Sequence, residues 1–294
     1  MSTETVTTDW PLVDVVVCVH NSLEDVQRCI SSVIESDYPA DRLNLIIVDD
    51  GSGEETASYL RDWVKGKDNV QLIRREQAGG YTIAANTGLK QATGEIAAML
   101  NSDTIVPKRW LQKITRIFAD KPDVGLVGPL SNAASWQSVP ELSAKGGGWA
   151  INPLKEGFSV TDMDEMIAPL AEDVGVLPRV PLLNGFCFVI RRAICEDIGY
   201  FDEEGFPRGY GEEDDFCIRA TDAGYGLVLA INTYVFHAKS KSYGTKTRNE
   251  LSQQGQIVLR QKHSKERLDR AVKTMRLNPY LAQIRDAVGK AMTA

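Results

Sequence analysis

The chain has 294 residues, of which 43% are hydrophobic and 25% charged, and its net charge is −7. These proportions are ordinary for a globular protein, and the length suits one large domain or one domain with appendages. The acidic balance excludes a general nucleic-acid binder, because no basic excess is available to neutralise phosphates.

Five cysteines (Cys18, Cys29, Cys187, Cys195, Cys217) fall inside apolar or helical patterns, and no close pair has zinc-ligand spacing. An odd count beside a large core predicts buried free thiols in a reducing cytoplasm, not a disulfide framework. There is no apolar N-terminal leader and no run of about 18 apolar residues, so neither signal peptide nor membrane span is expected. The substrate is then met in the cytoplasm or at the inner face of a membrane.

Residues 1 to 10 are polar and Thr-rich and read as a frayed terminus. Val13 to Val19 is an apolar strand of the kind buried on both faces of a parallel sheet, ending at His20-Asn21-Ser22. Ser22 is positioned as the N-cap of a helix whose apolar residues are Val26, Cys29, Ile30, Val33 and Ile34, closed by Tyr38-Pro39. A second buried strand, Leu43 to Val48, ends at Asp49-Asp50-Gly51-Ser52. There Ser52 and Glu55 predict a capping box for a helix with Leu60, Trp63 and Val64 on its apolar side.

A short third strand, Val70 to Arg74, leads through the turn Ala78-Gly79-Gly80-Tyr81 into a helix along Ala84, Ala85, Gly88 and Leu89. Ile96 to Leu100 is the fourth strand, and it stops at Asn101-Ser102-Asp103. A helix with Trp110, Leu111, Ile114, Ile117 and Phe118 on one face follows, then a fifth strand from Val124 to Gly128. Strict alternation of strand and helix predicts an α/β fold with a doubly wound, mostly parallel sheet.

From residue 131 to 179 the rhythm breaks. Pro140, Gly146 to Gly148, Pro153, Pro169 and Pro178 mark a loop-rich insertion with little periodicity. Regular patterning returns with a strand at Phe186 to Ile190 and a short helix from Arg191. A helix over residues 212 to 223 is closed by Gly224, and strands follow at Leu227 to Ile231 and Tyr234 to Phe236. Beyond Arg248 two charged amphipathic helices are predicted, broken near Asn278-Pro279. Dimerisation, contact with a membrane surface and simple covering of the core are all open to them.

Polar clusters follow the first, second and fourth strands: His20-Asn21-Ser22, Asp49-Asp50 and Asn101-Ser102-Asp103. If those strands are neighbours, the clusters converge on one crevice at the carboxyl edge, where ligands bind in open α/β sheets. No G-x-G-x-x-G follows the first strand and no G-x-x-x-x-G-K-[ST] occurs anywhere, so backbone cradling of phosphate is not the main device. A diphosphate facing carboxylates needs a bridging cation. Asp103 and the late His237, which follows an apolar strand and precedes Lys239, Ser240 and Lys241, supply an oxygen and an imidazole. That mixed set suits Mn²⁺ and tolerates Mg²⁺.

The densest charge cluster is Glu212-Glu213-Asp214-Asp215 after Gly211, with Phe206, Pro207, Arg208 and Tyr210 leading into it. Carboxylates favour a helix N-terminus, but capping does not require four, and adjacent carboxylates raise one another's pKa toward a range useful for a general base. Gly80, in the Gly79-Gly80-Tyr81 turn, would let the backbone approach a donor, and Gly185 in Asn184-Gly185-Phe186-Cys187 would let an acceptor approach closely.

Several ordered motifs resemble the family-2 inverting glycosyltransferases, enzymes of the nucleotide-sugar-binding GT-A fold. They are VDVVVCVHNS (13–22), LIIVDDGS (45–52), AGGYTIAANTGL (78–89), MLNSDT (99–104), NGFCFVIRR (184–192), GYGEEDDFCIRA (209–220) and YVFHAKSKS (234–242). The resemblance spans residues 12–245 as one domain. Within it, 1–130 would be the nucleotide-sugar half and 131–245 the acceptor half, and 246–294 would be a C-terminal helical extension.

By this resemblance Asp50 contacts the nucleobase with Asp49 beside it, and Val19, His20, Asn21, Gly80, Asn86, Asn101 and Ser102 line the donor site. Asn101-Ser102-Asp103 stands where the family has a D-x-D motif, with its first Asp replaced by Asn, so Asp103 is left as the ligand and His237 matches the late metal-ligand histidine. Glu213 falls at the catalytic base with Asp214 as a possible substitute, while Gly185, Phe186, Tyr210 and Glu212 face the acceptor. The likeness is to enzymes building bacterial surface polysaccharides, including rhamnosyl- and mannosyl-transferring ones. It implies a nucleotide-sugar donor, a glycan or glycolipid acceptor and a divalent metal. The rival readings are a sugar nucleotidyltransferase, which would normally carry a Gly-rich basic loop after the first strand, and a non-catalytic binding module on the same fold.

Overall fold

A computed structural model describes residues 10–239 and 245–294, with backbone only for 245–248. The polar stretch 1–9 and Ser240, Lys241 and Ser242 of the last motif lie outside the described residues. A seven-stranded sheet in the order β3-β2-β1-β4-β7-β6-β8 forms the centre. Its strands are β1 (Val13–Val19), β2 (Leu43–Asp50), β3 (Val70–Arg75), β4 (Ile96–Asn101), β6 (Val124–Leu130), β7 (Cys187–Arg191) and β8 (Gly226–Tyr234). β5 (Thr104–Ile105) and β9 (Phe236–His237) form a separate antiparallel pair.

Strand alternation explains the two faces. Along β1, Val13, Val15, Val17 and Val19 pack toward α1 (Leu23–Ile34) and α4 (Trp110–Asp120), whereas Val16 packs toward α3 (Tyr81–Gln91). In β2, Leu43, Leu45 and Ile47 join the first cluster, and Ile46 and Val48 the second. α3 lies so close to the sheet that a Cβ on its Gly88 would overlap the Val16 side chain. All five cysteines are free thiols, four of them buried.

β2, β1 and β4 are parallel neighbours, which brings the first three polar clusters to one edge. The sheet is mixed rather than strictly parallel, because β7 runs antiparallel to both β4 and β6. The insertion before β7 reverses the chain. It is also less irregular than its composition suggests: α5 (Val160–Val174) is opened by a complete capping box between Ser159 and Asp162. Pro169 sits inside that helix. Burial of Met163, Ile167 and Ala171 outweighs the one hydrogen bond that proline removes.

Neither capping serine in the first half behaves as its position suggests. Ser22 takes a left-handed conformation without a side-chain cap, and α2 (Glu54–Trp63) starts from Gly53. Ser52 instead accepts from the Asn21 N–H through Oγ (2.8 Å), while its own N–H donates to Asp49 Oδ1 (2.9 Å). Its polar groups join two loops. α1 also ends at Ile34, four residues before Tyr38. The last two strands read from sequence, 227–231 and 234–236, are one nine-residue strand, β8, followed by the two-residue β9.

The remaining helices are α6 (Ala193–Ile198), α7 (Glu212–Asp222), α8 (Thr245–Lys262), α9 (Lys265–Arg276) and α10 (Pro279–Thr293). The C-terminal stretch therefore holds three helices, not two, since Ser264 caps α9 just after α8 ends. Asn278 caps α10 as a helix start ahead of proline. α10 buries Leu281, Ile284 and Val288 in the core cluster that includes α5. At least this helix covers the core.

Candidate active site

The site is assembled where β4 ends. Thr104 pairs with His237 across the β5–β9 ladder, and the Ala238 N–H donates to the Asp103 carbonyl (2.8 Å). This short ladder brings Asp103 and His237 together from distant parts of the chain. His237 Nε2 lies 3.2 Å from Asp103 Oδ1. The other ring nitrogen, Nδ1, is 3.0 Å from the Ala133 carbonyl, which can only accept, so Nδ1 carries the proton. In the neutral ring the Nε2 lone pair then points toward the carboxylate, as a metal ligand requires.

The separation fits as well, because adjacent ligands of an octahedral ion held at about 2.1 Å stand about 3 Å apart. Behind the imidazole, Phe186 stacks on it with ring centroids 5.3 Å apart and planes 14° from parallel. Asn132 clamps the His237 main chain from both sides, accepting its N–H (2.7 Å) and donating to its carbonyl (3.0 Å). Among the described residues no third His, Cys, Asp or Glu completes a metal cluster, so the protein would offer two ligands. The Asn101 N–H donates to the Phe186 carbonyl, tying β4 to the start of β7, and Ser102 is partly buried between them.

At the ends of β1 and β2, Val19 is buried and His20 Nδ1 donates to the Asp50 carbonyl (2.8 Å). Asn21 holds the neighbouring loop by accepting from the Gly53 N–H (2.8 Å). The Asp50 carboxylate accepts from the Gly79 and Gly80 N–H groups and pairs with Arg75 Nε at 3.1 Å. Asp49 is fully buried and pairs with Arg74. Sequence reasoning missed both arginines, although Arg74-Arg75 ending a strand beside a two-carboxylate strand end was a usable signal. Asn86 has another task. Its amide donates to the Phe201 carbonyl (2.9 Å) and Glu203 (2.8 Å) and accepts from the Phe201 N–H, so it binds α3 to residues 201–203.

The α7 end closes the far side. Gly185 faces the Glu213 side chain, and a Cβ there would lie 3.6 Å from that of Glu213. Glu212 is buried and accepts from the Gly211 N–H (3.1 Å), as Glu213 does (3.2 Å). Burial and the Glu213 charge push Glu212 far above the ordinary carboxylate range and Asp214 up to about 8. Asp50 and Glu212 both add to the effect of burial in raising the Cys18 thiol near the end of β1. Phe186 is buried behind His237, so its side chain supports the imidazole and does not face an acceptor.

A sequence model of glycosyl transferase family 2 matches residues 14–199. The chain belongs to glycosyl transferase family 2. Among its family relatives is the glycosyltransferase AglE of Haloferax volcanii, 30% identical over 225 residues that cover 76% of this chain and 66% of that protein. Across the first relatives the chain spans between 25% and 66% of their lengths. The fold is that of solved GT-A enzymes. The mannosyltransferase PcManGT of Pyrobaculum calidifontis, solved with GDP-Man and Mn²⁺, superposes with a TM-score of 0.65 at 19% identity, covering 97% of this chain and 76% of that one. GalNAc-T7, solved with UDP, GalNAc and Mn²⁺, gives 0.65 at 18% identity, covering 96% and 55%.

Proposed function

We propose that this protein transfers a sugar from a nucleotide-diphosphate donor to an acceptor hydroxyl with inversion at the anomeric carbon. One observation carries the reading. Glu213 packs on Gly185, whose neighbour Phe186 stacks on His237, so a candidate base and the Asp103–His237 pair flank one short strand start. Asp103 Oδ1 and His237 Nε2 would hold a divalent cation, Mn²⁺ or Mg²⁺, which when bound neutralises charge developing on the departing diphosphate. The Mn²⁺ held by PcManGT and GalNAc-T7 supports that choice.

The nucleotide is held by the strand ends carrying His20, Asn21, Asp49 and Asp50 and by the Gly80 turn. Asn101 and Ser102 flank the diphosphate. Glu213 takes the proton of the acceptor hydroxyl as its oxygen bonds to the anomeric carbon and the bond to the diphosphate breaks. Asp214, at about 8, is mostly protonated at neutral pH and a poor acceptor of that proton, and Glu212, also raised by burial and the Glu213 charge, is buried. Inversion needs one base and no protein nucleophile, so no covalent intermediate forms. The acceptor, a glycan or glycolipid of surface-polysaccharide type, approaches along Gly185, Tyr210 and the loops of 131–159.

Replacing Glu213 by Gln keeps the shape and removes the base. Glu213→Gln is expected to bind nucleoside diphosphate as the parent does and to lose about 10²–10⁴ in turnover. Near-normal turnover in that variant would sink the assignment of the base.

A further inference from the structure

Immediately before the acidic helix start the backbone is held in an unusual state. Gly209 (φ 89°), Tyr210 (φ 69°) and Gly211 (φ 133°) are three successive residues with positive φ, and Tyr210 has a side chain that disfavours it. Such a conformation persists only where the surroundings fix it. On one side, Thr82 donates to the Phe206 carbonyl, and Gly80 lies against the Pro207 carbonyl so closely that a Cβ would overlap it.

The other side is α8. Its Gly255 sits directly on the Tyr210 carbonyl, where any Cβ would overlap the oxygen, and its Leu259 lies 3.2 Å from a Cβ placed at Gly211. One turn on, the end of α8 is fastened to α7. Asp215, fully buried and two residues after Glu213, receives Arg219 Nε of its own helix at 2.8 Å. It also receives Lys262 Nζ and His263 Nε2 from the end of α8 at 2.9 Å each. Lys262 reaches Asp202 Oδ2 as well, at 2.7 Å, closing the far end of the same loop. All these α8 contacts lie beyond residue 199, where the family match ends.

We propose that α8 is a clamp that positions the catalytic base: Gly255 and Leu259 hold the 209–211 turn, while Lys262 and His263 fix Asp215, and together they set the direction of the first turn of α7 and of Glu213. The inference rests on the reading of Glu213 as the base. Gly255, Lys262 and His263 touch no reacting atom and act only through α7. A displacement on the order of 1 Å at a catalytic group costs up to about 10²-fold in rate, so a clamp of this kind shows in turnover more than in binding.

The test compares full-length Gly255→Ala, Lys262→Met, Lys262→Arg and Glu213→Gln with the parent. Three quantities are measured: calorimetric affinity for UDP, GDP and dTDP with Mn²⁺, the rate of nucleoside diphosphate release from the matching nucleotide sugars, and amide hydrogen exchange. Gly255→Ala and Lys262→Met are expected to lose about tenfold to 10²-fold in rate while nucleotide affinity stays within about twofold. Exchange should rise at residues 209–215 and remain as in the parent along α1 and α4. Lys262→Arg, which keeps a cation on Asp215, should recover most of the rate. Full rate and unchanged exchange in both Gly255→Ala and Lys262→Met, beside an inactive Glu213→Gln, would overturn the clamp alone. An active Glu213→Gln would overturn the base and the clamp together.

Discussion

At the scale of single residues the candidate site depends on how a few polar groups are prepared by their neighbours. The Ala133 carbonyl selects the tautomer of His237, and Phe186 holds its ring plane. Beside Glu213, burial and the neighbouring Glu213 charge raise Glu212 well above the ordinary carboxylate range and Asp214 to about 8. This has a thermodynamic signature. Asp214 has a folded pKa of about 8 against an ordinary 3.8, so the fold binds a proton that the unfolded chain releases. Its contribution to stability is therefore complete below the ordinary value and is lost as pH rises through about 8. Asp214→Asn, neutral at every pH, should show a flatter fall in thermal midpoint than the parent between about pH 4 and pH 8. A residual slope of the same sign is left by Glu212. Parallel melting profiles for parent and variant would argue against the raised Asp214.

Asp103, His237, Asp50 and Glu213 were all legible as residues, because strand-end carboxylates and a four-acid helix start are local patterns. Their partners were not. Asn132 on His237 and Lys262 and His263 on Asp215 are joined across the fold, and no spacing in the sequence encodes them, whereas Arg75 on Asp50 was signalled only by the Arg74-Arg75 strand end. Asp215 looked like one more carboxylate of the cluster. Its three partners, Arg219, Lys262 and His263, make it a structural anchor.

At the scale of elements, the two-residue ladder of β5 and β9 does the most with the least chain. Two residues cannot be recognised as a strand by alternation, and that is why the sequence pointed to Asp103 and His237 as residues but not to the ladder that joins them. The ladder leans on Asn132, whose amide takes both main-chain groups of His237. Asn132→Ala leaves a buried N–H and a buried carbonyl unmatched, each worth about 1–3 kcal/mol. A lower thermal midpoint and weaker Mn²⁺-dependent nucleoside diphosphate binding are both expected. Retention of both would show that β9 is seated by other contacts. Two of the elements misread from sequence are decided by tertiary contacts. α5 tolerates Pro169 because one face is buried, and Ser52 forgoes capping because the Asn21 N–H takes its hydroxyl and its own N–H goes to Asp49.

At the scale of the whole molecule, the parallel run β3-β2-β1-β4 carries the strand-end polar clusters, and β7 runs antiparallel beside β4. The alternating pattern of the first 130 residues was enough to read that first half. The second half was less legible, since the reversal at β7 is set by the packing of α5 and by the loops before it. The C-terminal helices, open in role from sequence, pack onto the core and onto the loop before α7. No helix among the described residues is long and apolar enough to cross a membrane.

The proposed activity requires a nucleotide-sugar donor activated at the Asp103–His237 pair. Its most direct test is to incubate UDP-, GDP- and dTDP-sugars with the parent protein and with Asp103→Ala, with and without Mn²⁺, and to identify the phosphate product. Nucleoside diphosphate should be released from at least one donor, only with the cation, and not by Asp103→Ala. Release of pyrophosphate, or of nucleoside diphosphate at equal rates without the cation and in Asp103→Ala, would contradict it.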